Sequence, residues 1–259
     1  VMNGTLAHFY RYLSNDSDSE LRNAPDLPID ADWQAVERES YHSGILTTLG
    51  FLRRFASHRA RVNRLYTAFL CDPFEAPSGG LPSANDECSS NPDLSSRCGC
   101  ASCHEAIEPA TTHWGRWEEG DDFVYQEGIA TFSNNCANCE KDECSNFCKT
   151  FYITRDLETT PGSVDGKLGK LKVLAWRSEA ETAALDAGPS ALVTRPEYQQ
   201  QLATCAARNF AQHVFGRELS ADEQTGWLAE KTAAFAATNH DFLEMVKDVV
   251  TDERYRRIE

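Results

Sequence analysis

The sequence predicts a mainly α-helical protein in which a cysteine-rich region of loops precedes a C-terminal helical bundle. Apolar residues recur at helical spacing in several segments, whereas alternation with period two is rare. Nine of the ten cysteines lie between residues 71 and 148, mostly in clusters and where periodicity is poor. We therefore expect helices towards both ends of the chain and covalently stabilised loops between them.

Residues 1–71 are predicted to form an N-terminal helical segment that packs on the region after it. Its first helix carries an apolar stripe of Leu6, Phe9, Tyr10 and Leu13. A second helix is predicted from about Thr47 to Ala56, and a third ends near Cys71. Because the chain opens directly into a helical pattern, we expect a processed chain or the C-terminal part of a longer precursor.

Residues 72–163 are predicted to be a cysteine-rich region of loops and short helices. Its first part, Asp72–Arg97, is rich in Pro, Gly, Ser, Asn and Asp, a composition typical of a loop or linker.

Residues 164–259 are predicted to form the C-terminal helical bundle. Pro196 suits the first turn of a helix and Gly216 its C-terminal cap. Ser220 with Glu223 forms a capping-box pattern, which recurs at residues 241 and 244.

The charge of the chain limits the possible functions. The sequence has 25 Lys or Arg and 40 Asp or Glu, which gives a net charge of −15. This balance argues against nucleic-acid binding, because phosphate contacts need clustered basic side chains. No apolar run approaches the roughly 18 residues of a transmembrane segment. The 41% hydrophobic content argues against disorder.

One motif carries specific chemistry. Cys100, Cys103 and His104 form a complete C-x-x-C-H sequence, the attachment signature of c-type haem. Random order of this composition would give only about 0.01 such motifs. Two thiols three positions apart can form thioethers to neighbouring vinyl groups, and the adjacent histidine can bind the iron as its proximal ligand. The alternatives are a redox C-x-x-C pair or a metal-binding turn.

The other eight cysteines are predicted to form four disulfides, since haem attachment implies export to an oxidising compartment, either the periplasm or the cell exterior. Within this set, Cys136, Cys139, Cys144 and Cys148 lie close enough in sequence to bind zinc or an iron–sulfur cluster. We favour two local disulfides over a metal site there. We interpret the other four cysteines as disulfide partners as well: Cys71, Cys88, Cys98 and Cys205.

The order of several segments resembles the planctomycete-type and myxobacterial family of large exported c-type cytochromes. The similar segments are Asn3–Tyr10, 43–47, Leu65–Cys71, Cys100–Pro109, Leu202–Leu219 and Phe242–Tyr255, with Trp114 and Trp117 at aromatic positions. The resemblance implies a helical c-type cytochrome-like haem domain, exported and usually part of a longer chain. It implies no particular substrate.

The leading functional hypothesis is an exported monohaem cytochrome c that transfers electrons, with one covalent haem. An acidic surface favours a redox partner protein with a basic surface. Two alternatives stay open. One is a haem enzyme with an open sixth iron position, and the other is a disulfide-stabilised cell-surface assembly protein that carries haem. The sequence shows no dedicated catalytic constellation, which favours a carrier over a catalyst.

The sixth iron ligand has two named candidates. His58 lies between two apolar helices, from where a loop histidine can reach a haem, and relatives often carry histidine near this position. Met245 is the alternative, although it shares the apolar stripe of Phe242 and Val249 and so reads as a core residue. We expect His58 to be the distal ligand ahead of Met245.

Overall fold

The computed structural model describes residues 2–13, 26–36, 40–75, 80, 83, 86–120, 124–159 and 161–256. This part of the chain is mainly helical, as predicted, and its extended pairings are isolated bridges. The chain divides into two compact units, Val1–Val62 with Glu75–Leu192 and Asn63–Phe74 with Val193–Glu259. These units differ from the predicted three-part division, because the second one combines two segments that are distant in sequence.

The first unit holds most of the short helices. They are α1 (Gly4–Leu13), α2 (Leu49–Arg54), the start of α3 (His58–Arg64), α4 (Ala101–Thr111), α5 (Asn134–Ala137) and α6 (Asn146–Phe151). The helix expected at 47–56 is a 3₁₀ turn, Gly44–Thr47, followed by α2. In the predicted loop 72–97, residues 76–79, 81–82 and 84–85 lie outside the described residues, and the remainder contains one 3₁₀ turn, Glu87–Ser90.

One helix was not anticipated from the sequence. α7 spans Glu179–Val193 and contains both Gly188 and Pro189, residues that usually end a helix. The backbone of Gly188 is not helical, with a φ of 65°, so α7 consists of two helical pieces joined at a kink. A left-handed φ is accessible to glycine at little cost, which explains this residue at the kink.

One core cluster of the first unit surrounds paired cysteines. It contains Ile129, Cys136, Cys144, Cys148, Phe151, Tyr152, Leu171, Leu174 and Leu185. Single bridges join Phe132 to Lys170 and Tyr152 to Leu171, which bring the 170s segment against α6. The cysteine-rich region, whose sequence shows little helical periodicity, is therefore packed around disulfides and isolated backbone bridges rather than around long helices.

The second unit is a bundle of helices, most of them near the C-terminus. α8 (Pro196–Phe215) packs against α9 (Leu228–Ala237) and α10 (Phe242–Thr251), and α11 (Glu253–Arg256) follows. A π-helical segment, Leu65–Phe69, also contacts α8. The shared core contains Ala203, Ala207, Ala211, Leu219, Trp227, Leu228, Phe235, Met245 and Val249.

The predicted helix ends of this bundle are largely confirmed. Pro196 occupies the first turn of α8, and Gly216 caps its end in the left-handed conformation, with a φ of 66°. The amide of Ser220 donates to Glu223 Oε2 at 2.8 Å, and the amide of Glu223 donates to Ser220 Oγ at 3.3 Å, which completes the capping box. Asp241 accepts from two amides at the start of α10. None of the described helices combines the length and apolar character that crossing a bilayer requires.

All eight cysteines outside the C-x-x-C-H motif are paired, which confirms the predicted disulfides. Cys71–Cys205 lies in the second unit, and the pairs Cys88–Cys98, Cys136–Cys148 and Cys139–Cys144 lie in the first. Because the second unit is built from two distant segments, the Cys71–Cys205 bond links those segments covalently.

Candidate functional site

The C-x-x-C-H motif forms the beginning of α4. Cys100 is the N-cap residue of this helix. The amide nitrogens of Cys103 and His104 lie 3.2 Å and 3.0 Å from the carbonyl oxygen of Cys100, so the motif is wound into a helical turn. Residues at positions i, i+3 and i+4 share one face of a helix. The two thiols and the imidazole are therefore presented side by side.

The two motif thiols are the cysteines that remain reduced. Both Cys100 and Cys103 are half-buried and belong to no disulfide. The Sγ atom of Cys103 lies 3.7 Å from the backbone oxygen of Glu75, its contact outside α4. Reduced thiols are the species that can form thioethers, so the pairing of the cysteines leaves available the two that the motif needs.

The imidazole of His104 is held by a carboxylate one turn further along α4. Its Nδ1 lies 2.6 Å from Oε1 of Glu108, and the His104 side chain is 20% exposed. Because a carboxylate oxygen accepts, Nδ1 carries the proton and donates it to Glu108. In the part of the chain that the structure describes, Nε2 of His104 makes no hydrogen bond, so this nitrogen has a free lone pair.

Two arginines hold Glu108 in place. The Nε atom of Arg59 donates to Oε1 at 2.6 Å, and the Nη2 atoms of Arg59 and Arg177 each donate to Oε2 at 3.3 Å. Burial would raise the pKa of Glu108, but the hydrogen bonds and charges of Arg59 and His104 outweigh it and keep this pKa below its usual range. Glu108 is therefore ionised at neutral pH.

The cluster around Glu108 carries more positive than negative charge. One carboxylate faces two guanidinium ions, and the Nε atom of Arg177 is buried without a hydrogen-bond partner. An unsatisfied buried donor costs about 1–3 kcal/mol. Haem carries two propionate carboxylates, which suit both the surplus positive charge and the unused donor. The residues present thus have the chemistry that a covalent haem would require: Cys100 and Cys103 would hold the porphyrin, and His104 Nε2 would be available to the iron.

His58 is buried at the start of α3 and engages the loop after α4. Its Nε2 lies 2.7 Å from the carbonyl oxygen of Trp117, and its Nδ1 lies 3.2 Å from Oε1 of Glu119. Burial, followed by the influence of Arg61, lowers the pKa of His58 against the opposing charge of Glu119. Its neighbour Arg59 reaches Glu108, whereas Nε2 of His58 is engaged by the Trp117 carbonyl and Nδ1 faces the Glu119 carboxylate. Its role as the distal ligand stays a prediction that requires these contacts to break.

Met245, the alternative distal ligand, lies in the core of the second unit and is 3% exposed. It packs with the bundle residues Trp227, Phe235 and Val249, as its place on the apolar stripe of α10 indicated. Iron ligation by Met245 would remove it from this core, so its described environment favours a packing role.

The second cysteine cluster has no free thiolates. Cys136 pairs with Cys148 and Cys139 with Cys144, so each sulfur is bonded to another sulfur. A thiolate is the form of cysteine that binds zinc or an iron–sulfur cluster. The preferred interpretation of this segment, two local disulfides, is confirmed. Within the described residues no group of three His, Cys, Asp or Glu side chains is arranged to hold a metal ion.

The contacts of Glu108 and Arg177 were not predicted from the sequence. Glu108 stands four positions after His104, and this i, i+4 spacing was the available signal for their contact. Arg177 had no such signal, because 69 positions separate it from Glu108. Arg59, near the start of α3, belongs to this cluster. Arg61 on the same helix is fully buried and donates instead to backbone carbonyls, including that of Glu118 at 2.8 Å.

Comparison with protein-family models, with curated proteins and with solved structures finds no match to this chain.

Proposed function

We propose that this chain is an exported monohaem c-type cytochrome that transfers electrons. The carrying observation is the state of the cysteines: Cys100 and Cys103 are reduced and lie beside His104 in one turn of α4, while the other eight cysteines form disulfides. Four disulfides are also compatible with an oxidising compartment outside the cytoplasm.

The attachment chemistry that we propose needs only the two thiols. Each S–H group adds across one vinyl group of haem, so that sulfur bonds to one carbon and hydrogen to the other. Nothing leaves and no oxidant is consumed. When bound, a haem supplies one-electron exchange at its iron. Cys100 and Cys103 then fix the orientation of the porphyrin, and His104 Nε2 is the proximal ligand.

The proposed redox partner is a protein with a basic surface. The net charge of −15 supports such a partner, because opposite charges steer association and accelerate it at low ionic strength. We expect electron exchange with a basic partner to slow as salt is added, since salt screens attraction between exposed charges.

Mass spectrometry of the protein tests the proposal. The chain is produced in a host that attaches haem to a control cytochrome c in its periplasm. We expect one haem mass per chain, and its loss in the double variant Cys100→Ser/Cys103→Ser. The matched control Cys88→Ser/Cys98→Ser removes a disulfide from the same unit and should retain the haem. An unmodified chain beside a fully modified control cytochrome would refute the proposal.

The ferric absorption spectrum separates a carrier from an enzyme. A low-spin haem that cyanide and imidazole leave unchanged supports electron transfer through a six-coordinate iron. A high-spin haem that binds either ligand readily would replace the carrier with a haem enzyme whose sixth position is open.

A further inference from the structure

The contact between His104 and Glu108 points to a role for Glu108 beyond stability. The Nδ1–Oε1 distance is 2.6 Å, and both side chains project from α4 one turn apart. Donation from Nδ1 to the carboxylate fixes the tautomer of the ring and leaves the Nε2 lone pair free for a metal. A carboxylate that accepts from the other ring nitrogen also raises the basicity of a histidine ligand.

Glu108 is itself prevented from turning away. Arg59 donates from two nitrogens to its two oxygens, and Arg177 donates to Oε2 from a side chain that is 7% exposed. Both Glu108 oxygens are thereby occupied, and the carboxylate is 11% exposed. Hydrogen bonds between charged groups are stronger than those between neutral groups. The acceptor for His104 is therefore set in position before any ligand binds to Nε2.

We propose that Glu108 is a positioning residue which orients His104 towards the haem iron and lowers the reduction potential of the haem. The proposal rests on the proposed function, because it presupposes that His104 binds the iron. A more basic imidazole donates more electron density, which stabilises ferric iron relative to ferrous iron. The negative charge of Glu108 acts in the same direction, since ferric iron carries one more positive charge.

The test compares two glutamates of the same helix. Glu108→Gln keeps the shape of the side chain but removes its charge and weakens its acceptor. Glu105→Gln is the matched control, since Glu105 is exposed and the substitution changes the net charge by the same amount. Both variants are produced as holoproteins, and redox titration measures their potentials. Hyperfine-shifted NMR resonances of the ferric state report the electronic environment of the His104 ring.

We expect Glu108→Gln to retain the covalent haem and to raise the reduction potential. At a fixed electrode potential near the midpoint, the ratio of reduced to oxidised protein should rise about tenfold, which corresponds to about 59 mV for one electron. The His104 resonances should move as well. Glu105→Gln should change both measurements much less.

If the reduction potential shifts equally in the two variants and the His104 resonances do not move, Glu108 is not a positioning residue. That outcome would leave the proposed haem protein unaffected. A wild-type chain without covalent haem would overturn the proposed function and this inference with it. If Glu108→Gln does not fold, Glu108→Asp decides the matter. Aspartate keeps the charge but withdraws the acceptor by one methylene, so a raised potential supports the positioning role and an unchanged potential refutes it.

Discussion

The Nε2 atom of His58 lies 2.7 Å from the carbonyl oxygen of Trp117, and both residues are buried in the first unit. The backbone amide of His58 also donates to Oε1 of Glu119 at 2.5 Å. His58 therefore connects the start of α3 to the loop after α4 through its ring and its backbone. These contacts favour a structural role for the residue that the sequence indicated as a distal ligand.

His58→Ala distinguishes the two roles. If the ring is structural, the variant should lose about 1–3 kcal/mol of stability, because the ring hydrogen bond and its packing are removed. The ferric spectrum of the holoprotein should then stay unchanged. The measurements are denaturant unfolding and absorption spectroscopy, and His213→Ala, at an exposed histidine of α8, is the control. A stable variant whose haem becomes high-spin would identify His58 as the ligand instead.

The disulfides should differ in their contribution to stability. Cys71–Cys205 spans a sequence separation of 134 and Cys139–Cys144 one of 5. Loop-closure entropy predicts about 5 kcal/mol for the long loop and about 2 kcal/mol for the short one. We therefore expect Cys71→Ala/Cys205→Ala to reduce the free energy of unfolding more than Cys139→Ala/Cys144→Ala does. Denaturant unfolding checks the order, and a larger loss from the short-loop variant would contradict it.

Local signals explain why some features were predictable. Pro196 and Gly216 mark the ends of α8 because each acts through its own backbone conformation. The capping box of Ser220 and Glu223 also needs only two residues three positions apart. The C-x-x-C-H motif likewise owes its geometry to one turn of α4. Such features require no knowledge of the rest of the fold.

Features that depend on long-range contacts were not predictable. Four disulfides could be expected from eight cysteines, but the partner of Cys205 is set by the packing of Leu65–Phe69 on α8. Arg177 reaches Glu108 for the same kind of reason, since the fold alone brings together positions 69 apart. The division into two units also follows from such contacts, because Asn63–Phe74 joins the C-terminal bundle.

The capping box should make the second unit sensitive to acid. Hydrogen bonds from Arg217 are the main cause that lowers the pKa of Glu223 from its usual 4.5 to about 2. A carboxylate with a lowered pKa in the folded state stabilises the protein above its unfolded pKa. That contribution is lost as the pH falls through the folded value. Stability contributed by Glu223 should therefore decline between pH 4.5 and pH 2.

Glu223→Gln is expected to lower stability at pH 7 by about 1 kcal/mol, in the range of a lost helix cap. It should also flatten the fall in stability in the acid range, because the titrating group is gone. Urea unfolding at several pH values provides the measurement. Glu230→Gln, at a side chain that is 73% exposed, should change neither quantity appreciably. An unaltered acid profile in Glu223→Gln would show that other carboxylates control it.

Alanine substitutions at two glycines of one loop distinguish the cost of backbone strain from the cost of a steric clash. Gly169 and Gly166 have φ values of 76° and 71°, so alanine is strained at both. A Cβ atom at Gly169 would lie 2.6 Å from the carbonyl oxygen of Ser133, whereas one at Gly166 would meet nothing within 4 Å. The Ser133 carbonyl accepts the amide of Ala137 in α5, so the added methyl group would disturb the helix that carries Cys136.

Gly166→Ala should therefore cost about 1–2 kcal/mol, the penalty of a left-handed conformation for a residue with a Cβ atom. Gly169→Ala should cost about 1–3 kcal/mol more, since the chain must also shift to relieve the contact with Ser133. Denaturant unfolding of both variants measures the difference, and the wild-type protein is the reference. Equal losses would mean that the segment around Ser133 moves without cost, which would contradict the close packing of Gly169 against α5.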